Sequence, residues 1–397
     1  MENKHFCIRP FNSLHLKTDG TMAVCCDSRP SKTEFAGKTD FNLKKDSIEE
    51  FWKSDYRKFL IKNFHEERKP KECQKCWEKE NTGATSPRQF ANRQYKIYGN
   101  KPVEEYLKLL KIKDLEHPVD YNLNITNLCN LKCYMCTGAS SSKLLVENND
   151  LGFENLDQKD YDYEESKLSY LIDQIEKNDV TQVTLQGGEP LMNPKIISLL
   201  EKLSVKKTAK KITIWLTTNG TMYNKKLFDL LGAFQEVKII FSIDGVNKVN
   251  DYLRFPSNFS QIKSNFINYL NLHNATFMIT NVVQNLNLLY VDDIIEFANT
   301  HNTHLHLHIL TGPEVLHYSV LPYSTRRRAL EKLQNIDKKK LVHVTNFYPL
   351  LENLSADIDK DTSDEIEKFK DIIKKRDSYR KISLSNFIPE LATDLNI

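Results

Sequence analysis

The chain has 397 residues, 40% hydrophobic and 27% charged, the balance of a globular protein too long for one ordinary core. A formal charge of +3 gives no argument for bulk nucleic-acid binding, and no clear nucleic-acid signature is present. No run approaches the roughly 20 apolar residues of a membrane helix, and Met1–His5 lacks the apolar stretch of a secretory signal, so a cytoplasmic location without a membrane partner is expected.

The first unit is expected over residues 1–100. It holds five of the eight cysteines: Cys7, Cys25, Cys26, Cys73 and Cys76. In a cytoplasmic chain, clustered cysteines read as metal or cluster ligands rather than as a disulfide framework. Leu14–Leu16, the turn Thr18-Asp-Gly20 and Thr21–Val24 predict a hairpin that ends at the Cys25-Cys26 pair. Ser47 with Glu50 is a capping-box pattern that starts a helix. Cys73-x2-Cys76 closes the unit. A lone cysteine, a pair and a C-x2-C give four ligands and one spare. That count fits a structural zinc site as well as an iron–sulfur cluster. A charged helical connector follows, with Val103–Leu110 amphipathic, and His117-Pro118 ends it.

From residue 119 strands alternate with helices. The predicted strands are Tyr121–Thr126, Val180–Gln186, Lys211–Thr217, Val237–Ile243, Ala275–Val283 and His304–Leu310. Predicted helices cover Ser166–Ile175, Asn193–Leu203, Phe259–Leu272 and Val291–Thr300. Residues 137–165, polar and acidic near Asp157–Glu165, are expected to be an inserted loop. The pattern gives an α/β fold, a partial (β/α)6 TIM-like barrel over 119–312, with ligands at the C-terminal strand ends. Residues 313–397 are expected to be a helical extension with little strand signal. In it Ile366, Phe369, Ile372 and Ile373 mark an amphipathic helix that packs on the barrel or on the first unit. A partner-binding helix is the alternative.

The strand ends carry the chemistry. The first leads into Cys129-x3-Cys133-x2-Cys136. Three thiolates on one loop can hold three corners of a cubane cluster and leave one iron open; a zinc site is the alternative. The second ends in Gln186-Gly187-Gly188-Glu189-Pro190. With only 12 glycines in the chain, a Gly-Gly pair is informative: it lets the backbone approach a ligand, and Glu189 can accept from an ammonium group. The third ends in a polar turn, Thr217-Thr-Asn219-Gly220. The fourth ends in Ser242-Ile-Asp244, whose two-residue spacing suits a vicinal diol such as a ribose. Read singly, these are strand-to-helix turns; together they describe a cluster, an amino-acid group and a ribose in one cavity. In the sixth strand His304, His306 and His308 alternate with aliphatics. The aliphatic face belongs against the helices, so the histidines are expected to point inward, with His308 nearest the cofactor or substrate.

This constellation resembles the radical S-adenosylmethionine superfamily. The match rests on Cys129-x3-Cys133-x2-Cys136 and Gly187-Gly-Glu-Pro190 and covers about residues 119–312. It implies that the open iron chelates the amino and carboxylate groups of S-adenosylmethionine. An electron from a flavodoxin- or ferredoxin-like donor then cleaves the cofactor to methionine and a 5′-deoxyadenosyl radical, which takes hydrogen from a substrate. Ser242 and Asp244 align with the family's ribose contacts, and Asn219 is a further cofactor-binding candidate. The sequence departs from the family at Met135, often aromatic there; the aromatic stands at Tyr134 instead. The first unit resembles the auxiliary-cluster modules called SPASM or twitch, through Cys7, Gly20 five residues before Cys25, and Cys73-x2-Cys76-Trp77. Four ligands match the smaller, single-cluster type, which implies a second [4Fe–4S] cluster, with Cys26 spare or in the place of Cys25. The stretch Asp377–Leu384 with Pro389-Glu-Leu391 is similar to some twitch-containing members. A small sugar, nucleotide or cofactor is expected as substrate rather than a peptide. A non-catalytic iron–sulfur carrier or zinc-stabilised binding module is the competing reading; it needs neither the Gly-Gly turn nor the Ser242/Asp244 pair.

Overall fold

The computed structural model describes residues 5–28, 34–81, 83, 85–97, 101–110, 115–155 and 164–397, apart from the side chain at position 363. Nine strands in these residues form one sheet. They are β1 (Ser13–Leu16), β2 (Met22–Ala23), β3 (Asp120–Asn124), β4 (Gln182–Gln186), β5 (Thr213–Thr218), β6 (Glu236–Ser242), β7 (Ala275–Val283), β8 (His304–Ile309) and β9 (Val344–Thr345). Their order across the sheet is β2-β1-β3-β4-β5-β6-β7-β8-β9. All neighbouring pairs are parallel except the β1–β2 hairpin. The six predicted strands are β3 to β8, with ends shifted by up to two residues, where propensity is weakest against tertiary pairing. The hairpin turns at Gly20, whose φ of +93° suits glycine, and Asp19 accepts from the Thr21 amide.

Two expectations change. The first unit is not a separate layer: β1 pairs with β3, and Leu14, Leu16, Met22 and Val24 join the main core. A second apolar cluster, including Phe6, Phe11, Phe64, Trp77 and Tyr106, supports the rest of that unit. The 137–165 segment is not all loop, because Ser142–Asp150 is a helix capped by Ser141, which accepts from the Leu144 amide. Its apolar residues, Leu144, Leu145 and Val146, are consecutive and show no helical period. Residues 156–163 of that expected loop lie outside the described residues. The tail carries one short strand, β9, that extends the sheet beyond β8.

Alternation divides each strand between two environments. Leu305 and Leu307 on β8 are fully buried against helices, each such side chain contributing about 2 kcal/mol. The opposite face of β3 to β8 surrounds one cavity of about 260 Å³, lined by Asn122, Thr184, Trp215, Thr217, Ile240, Thr280, His306 and His308. Strands this far apart in the sheet meet at one space only if the sheet curves, so it is an open barrel with a polar lumen. The first unit spans the gap between β3 and β8. On one side β1 pairs with β3; on the other the Thr85 amide donates to Asn346 Oδ1 at 3.4 Å, and Asn346 Nδ2 donates to the Leu307 carbonyl at 2.9 Å.

Candidate iron–sulfur and cofactor site

The loop after β3 carries Cys129, Cys133 and Cys136 as free thiols, the first two buried. Its backbone is held at both ends. The Lys132 and Tyr134 amides donate to the Phe255 and Leu253 carbonyls at 2.6 and 3.0 Å. The Gly188 and Glu189 amides donate to Thr126 and Leu128 at 2.9 and 2.7 Å. This contact explains the Gly-Gly pair. Gly187 has φ +128°, and a Cβ there would stand 2.6 Å from the Thr126 carbonyl; one on Gly188 would stand 2.2 Å from that of Leu128. The room the glycines give is filled by the cysteine loop itself, not left for a ligand.

Glu189 differs from its expected role. Its carboxylate is fully buried and accepts from the Leu191 amide, Thr218 Oγ1 and the Asn219 amide at 3.2, 2.8 and 2.7 Å. Burial pushes its pKa up to about 7 against the pull of these donors. It therefore ties the Gly-Gly turn to the end of β5 and has little capacity left for an ammonium group. Asn219 continues the chain of contacts, donating to Asn130 Oδ1 at 2.9 Å and standing 4.0 Å from Cys129 Sγ.

The expected diol pair also separates. Asp244 has no exposed surface; it accepts from the Val282 amide at 2.7 Å and forms an ion pair with Arg254 at 2.7 Å. A carboxylate so engaged positions Arg254 instead of meeting a ribose. Ser242 is partly open and lies on the inward register beside Thr280 and His306. Arg254, which no periodicity marks, places Nη1 3.7 Å from Cys133 Sγ. Three thiols, a buried guanidinium and amide donors fit an anionic cluster, whose sulfurs need donors and positive charge.

The tail helix Ser363–Arg380 closes the outer side of this loop. Arg376 and Arg380 both reach the fully buried Glu147 at 3.0 and 2.7 Å, and Arg380 also donates to the Lys132 carbonyl at 2.7 Å. Tyr134 lies under both guanidiniums, 5.1 and 4.8 Å from its ring centre, and donates to Tyr252, which donates to Asp377. Tyr134 is buried in this stack and lines the cavity beside Cys136. A cavity of about 380 Å³ adjoins Cys136, lined also by Phe153, Leu316, Ile372 and Arg376.

The second cysteine set meets in one place. Cys7, Cys25, Cys26, Cys73 and Cys76 line a small pocket with Arg9, Asp27 and Arg88. Cys25 stands within electrostatic reach of Cys26, Cys73, Cys7 and Cys76, whereas the neighbours of Cys26 are Asp27, Arg9, Cys76 and Lys79. Cys26 and Arg9 also line the lumen. A donor set of five free thiols around one space fits an iron–sulfur group.

The histidine row divides. His306 and His308 face the lumen as expected. His304 is exposed at the start of β8, where Nε2 lies 2.7 Å from Thr345 Oγ1. It sits where the strand enters the sheet, too early for the interior. Burial, then like charge from neighbours, holds His306 and His308 at about 4. Both are neutral at pH 7. A lowered folded pKa means that the unfolded chain binds protons first, so their contribution is complete above about pH 6.5 and is lost as pH falls toward 4. The melting temperature is expected to drop across that window, and a His306→Asn/His308→Asn double variant to show a shallower drop. Equal slopes would contradict buried neutral imidazoles.

Comparison with known proteins identifies two domains in the sequence. Residues 123–298 match the radical SAM superfamily, and residues 7–77 match SPASM, an iron–sulfur cluster-binding domain. An uncharacterized protein of Methanocaldococcus jannaschii is 26% identical over 237 residues, 57% of this chain and 71% of that one. GTP 3′,8-cyclase of Desulforamulus reducens is 26% identical over 125 residues, 32% of this chain and 34% of the cyclase. Mycofactocin maturase MftC of Mycolicibacterium smegmatis is 26% identical over 187 residues, 47% and 42% of the two chains. The chain thus spans less than half of these two named relatives. Among solved structures, Streptococcus suis SuiB bound to S-adenosylmethionine aligns with a TM-score of 0.41 at 15% identity, over 87% of this chain and 72% of SuiB. No helix among the described residues is long and apolar enough to cross a membrane. Residues 123–298 thus form a radical SAM domain, with a SPASM-type iron–sulfur cluster-binding domain ahead of it.

Proposed function

We propose that the chain is an enzyme that cleaves S-adenosylmethionine reductively and directs the resulting radical at a substrate in the barrel lumen. The observation that carries this reading is a cysteine loop leaving one strand of the polar lumen and a second cysteine set on the wall of that lumen. Cys129, Cys133 and Cys136 leave the end of β3, and the five-cysteine pocket shares Arg9, Cys26 and Asn122 with the lumen wall. When bound, the core [4Fe–4S] cluster and S-adenosylmethionine supply a 5′-deoxyadenosyl radical. The chain's own residues do the rest. Gly187–Pro190 would take the methionyl amino group through its backbone, because the Glu189 carboxylate is already engaged. Arg254, held by Asp244, supplies positive charge for a carboxylate beside Cys133. Ser242 is the remaining ribose candidate, and Asn219 orients the loop. His308 lines both the lumen and an adjoining cavity of about 450 Å³, together with Lys79 and Thr85, which supports a role on the substrate side. An external low-potential donor, flavodoxin- or ferredoxin-like, would reduce the core cluster.

The expectation of a small sugar, nucleotide or cofactor over a peptide gains no support from the relatives. They include mycofactocin maturases, a sporulation killing factor maturation protein and GTP 3′,8-cyclase. Untargeted mass spectrometry of metabolites and peptides with active and cysteine-free enzyme decides between these classes.

The second cluster is assigned to Cys7, Cys25, Cys73 and Cys76, with Cys26 turned to the lumen. Cys25→Ala is expected to lose about four of about eight irons, and Cys26→Ala to keep them. Iron and sulfide analysis checks this; the reverse pattern would exchange the two residues, and zinc without sulfide would remove the cluster altogether.

A further inference from the structure

We propose that Arg9 binds an anionic group of the substrate, a carboxylate or a phosphate, at the deep end of the barrel lumen. This rests on the reading of the lumen as the substrate cavity. Arg9 opens the short helix Arg9–Asn12 ahead of β1 and lines the lumen. Its guanidinium is held on one side only. Nη1 donates to Asp120 Oδ2 at 3.1 Å and to Ser13 Oγ at 3.5 Å. Nε and Nη2 have no acceptor among the described residues, and neither is fully buried. The side chain keeps 15% of its surface open, on a cavity of about 260 Å³. A guanidinium presents its donors as a planar fork, so one that gives an edge to Asp120 still has donors for a second anion.

The sign of the cavity favours an anion there. No aspartate or glutamate among the described residues lines the lumen, whereas Arg9 and Lys79 do. Their carboxylate partners stand behind them: Asp120 is fully buried, and Asp27 belongs to the five-cysteine pocket. His306 and His308 are neutral at pH 7 and add no charge. The adjoining cavity of about 450 Å³ differs, with Glu314, Asp357 and Glu365 in its wall beside Lys79 and Lys360. An anion is therefore drawn from there into the lumen, where a charge-assisted bond to the guanidinium is strong. Reach sets the rest of the substrate. Asp120, which holds Arg9, is the first residue of β3, and the strand ends at Asn124, about 13 Å further at the strand rise. A substrate anchored at Arg9 must extend about that far to present a C–H bond near the strand ends. Arg9 also stands within electrostatic reach of Cys25 and Cys26, so the experiment separates a substrate contact from service to the second cluster alone.

The test uses protein reconstituted with both clusters and saturated with S-adenosylmethionine, so that the cofactor's own carboxylate site is filled. Equilibrium dialysis compares two matched pairs, hexanoate with hexanamide and ribose 5-phosphate with ribose, and hexylammonium as a cation. At least one anion is expected to bind about tenfold more tightly than its neutral partner, and hexylammonium more weakly than that anion. Preference in the first pair alone assigns a carboxylate, in the second alone a phosphate, and in both a site that accepts either. Arg9→Gln should remove the preference and leave the neutral probes unchanged. Arg9→Gln/Asp120→Asn, which removes both charges of the buried pair, should do the same while keeping a neutral contact between the two positions. Loss of the preference with about eight irons retained separates substrate binding from support of the cluster. If both variants lose iron or fail to fold, the contrasts on the unaltered protein decide. No preference in either pair, hexylammonium binding as tightly as the anions, or an unchanged preference in an iron-replete Arg9 variant overturns the proposal. Cofactor cleavage in the same preparation reports on the radical reading independently.

Discussion

Replacing Cys129, Cys133 and Cys136 together by alanine is expected to abolish cleavage of S-adenosylmethionine and to halve the bound iron, from about eight atoms to about four. The loss should be complete because the three thiols come from one loop, and no other cysteine lies in the set around it. On the proposed assignment the remaining iron is held in the pocket of Cys7, Cys25, Cys73 and Cys76, which shares no cysteine with that loop. Alanine is tolerated sterically at all three positions, and the loop stays tied through the amides of Lys132, Tyr134, Gly188 and Glu189. The variant should therefore fold with its second cluster in place. Iron, sulfide and 5′-deoxyadenosine are measured together. Any 5′-deoxyadenosine from the triple variant would place the reactive cluster elsewhere.

The second large effect is expected at Glu147. Its carboxylate is fully buried and collects Arg376 and Arg380 from the tail helix, and Lys132 from the cysteine loop at 3.1 Å. Glu147→Ala leaves two buried guanidiniums without their anion. Removing one partner of a buried pair costs about 3–5 kcal/mol, against about 0–1 kcal/mol for an exposed contact. Asp150→Ala, which removes only the exposed bond to Tyr379, is the matched control. Thermal melting should show a large drop for the first and a small one for the second. The core cluster should also become labile in Glu147→Ala, because Lys132 lies next to Cys133. Identical melting of the two variants would mean that the tail helix does not hold the loop.

These two predictions mark what could and could not be read from the residues in order. The cysteine spacing, the Gly-Gly turn and the six alternating strands are local patterns, and each depends on neighbours a few residues away. Glu147, Arg376 and Arg380 are separated by 229 and 233 positions, and nothing local announces a buried ion pair over that distance. Arg254 was hidden for a different reason: its partner Asp244 carries a strand-end signal, while the arginine stands at the end of a short helix. Glu189 and Asp244 were legible as residues of the site but not in their roles. Sequence shows a carboxylate at a strand end; only the fold shows that backbone amides, a hydroxyl or a guanidinium already occupy it. The histidine row was legible because strand alternation is strict, and it held for His306 and His308. It did not hold for His304, since alternation fixes a face but not where the lumen begins.

The most direct measurement is the fate of S-adenosylmethionine on the reduced protein. Reconstituted protein with about eight irons, reduced anaerobically with dithionite, is mixed with the cofactor, and methionine and 5′-deoxyadenosine are quantified. Equal amounts of the two products, formed even without substrate, are expected. Intact cofactor in the presence of both loaded, reduced clusters would contradict the account.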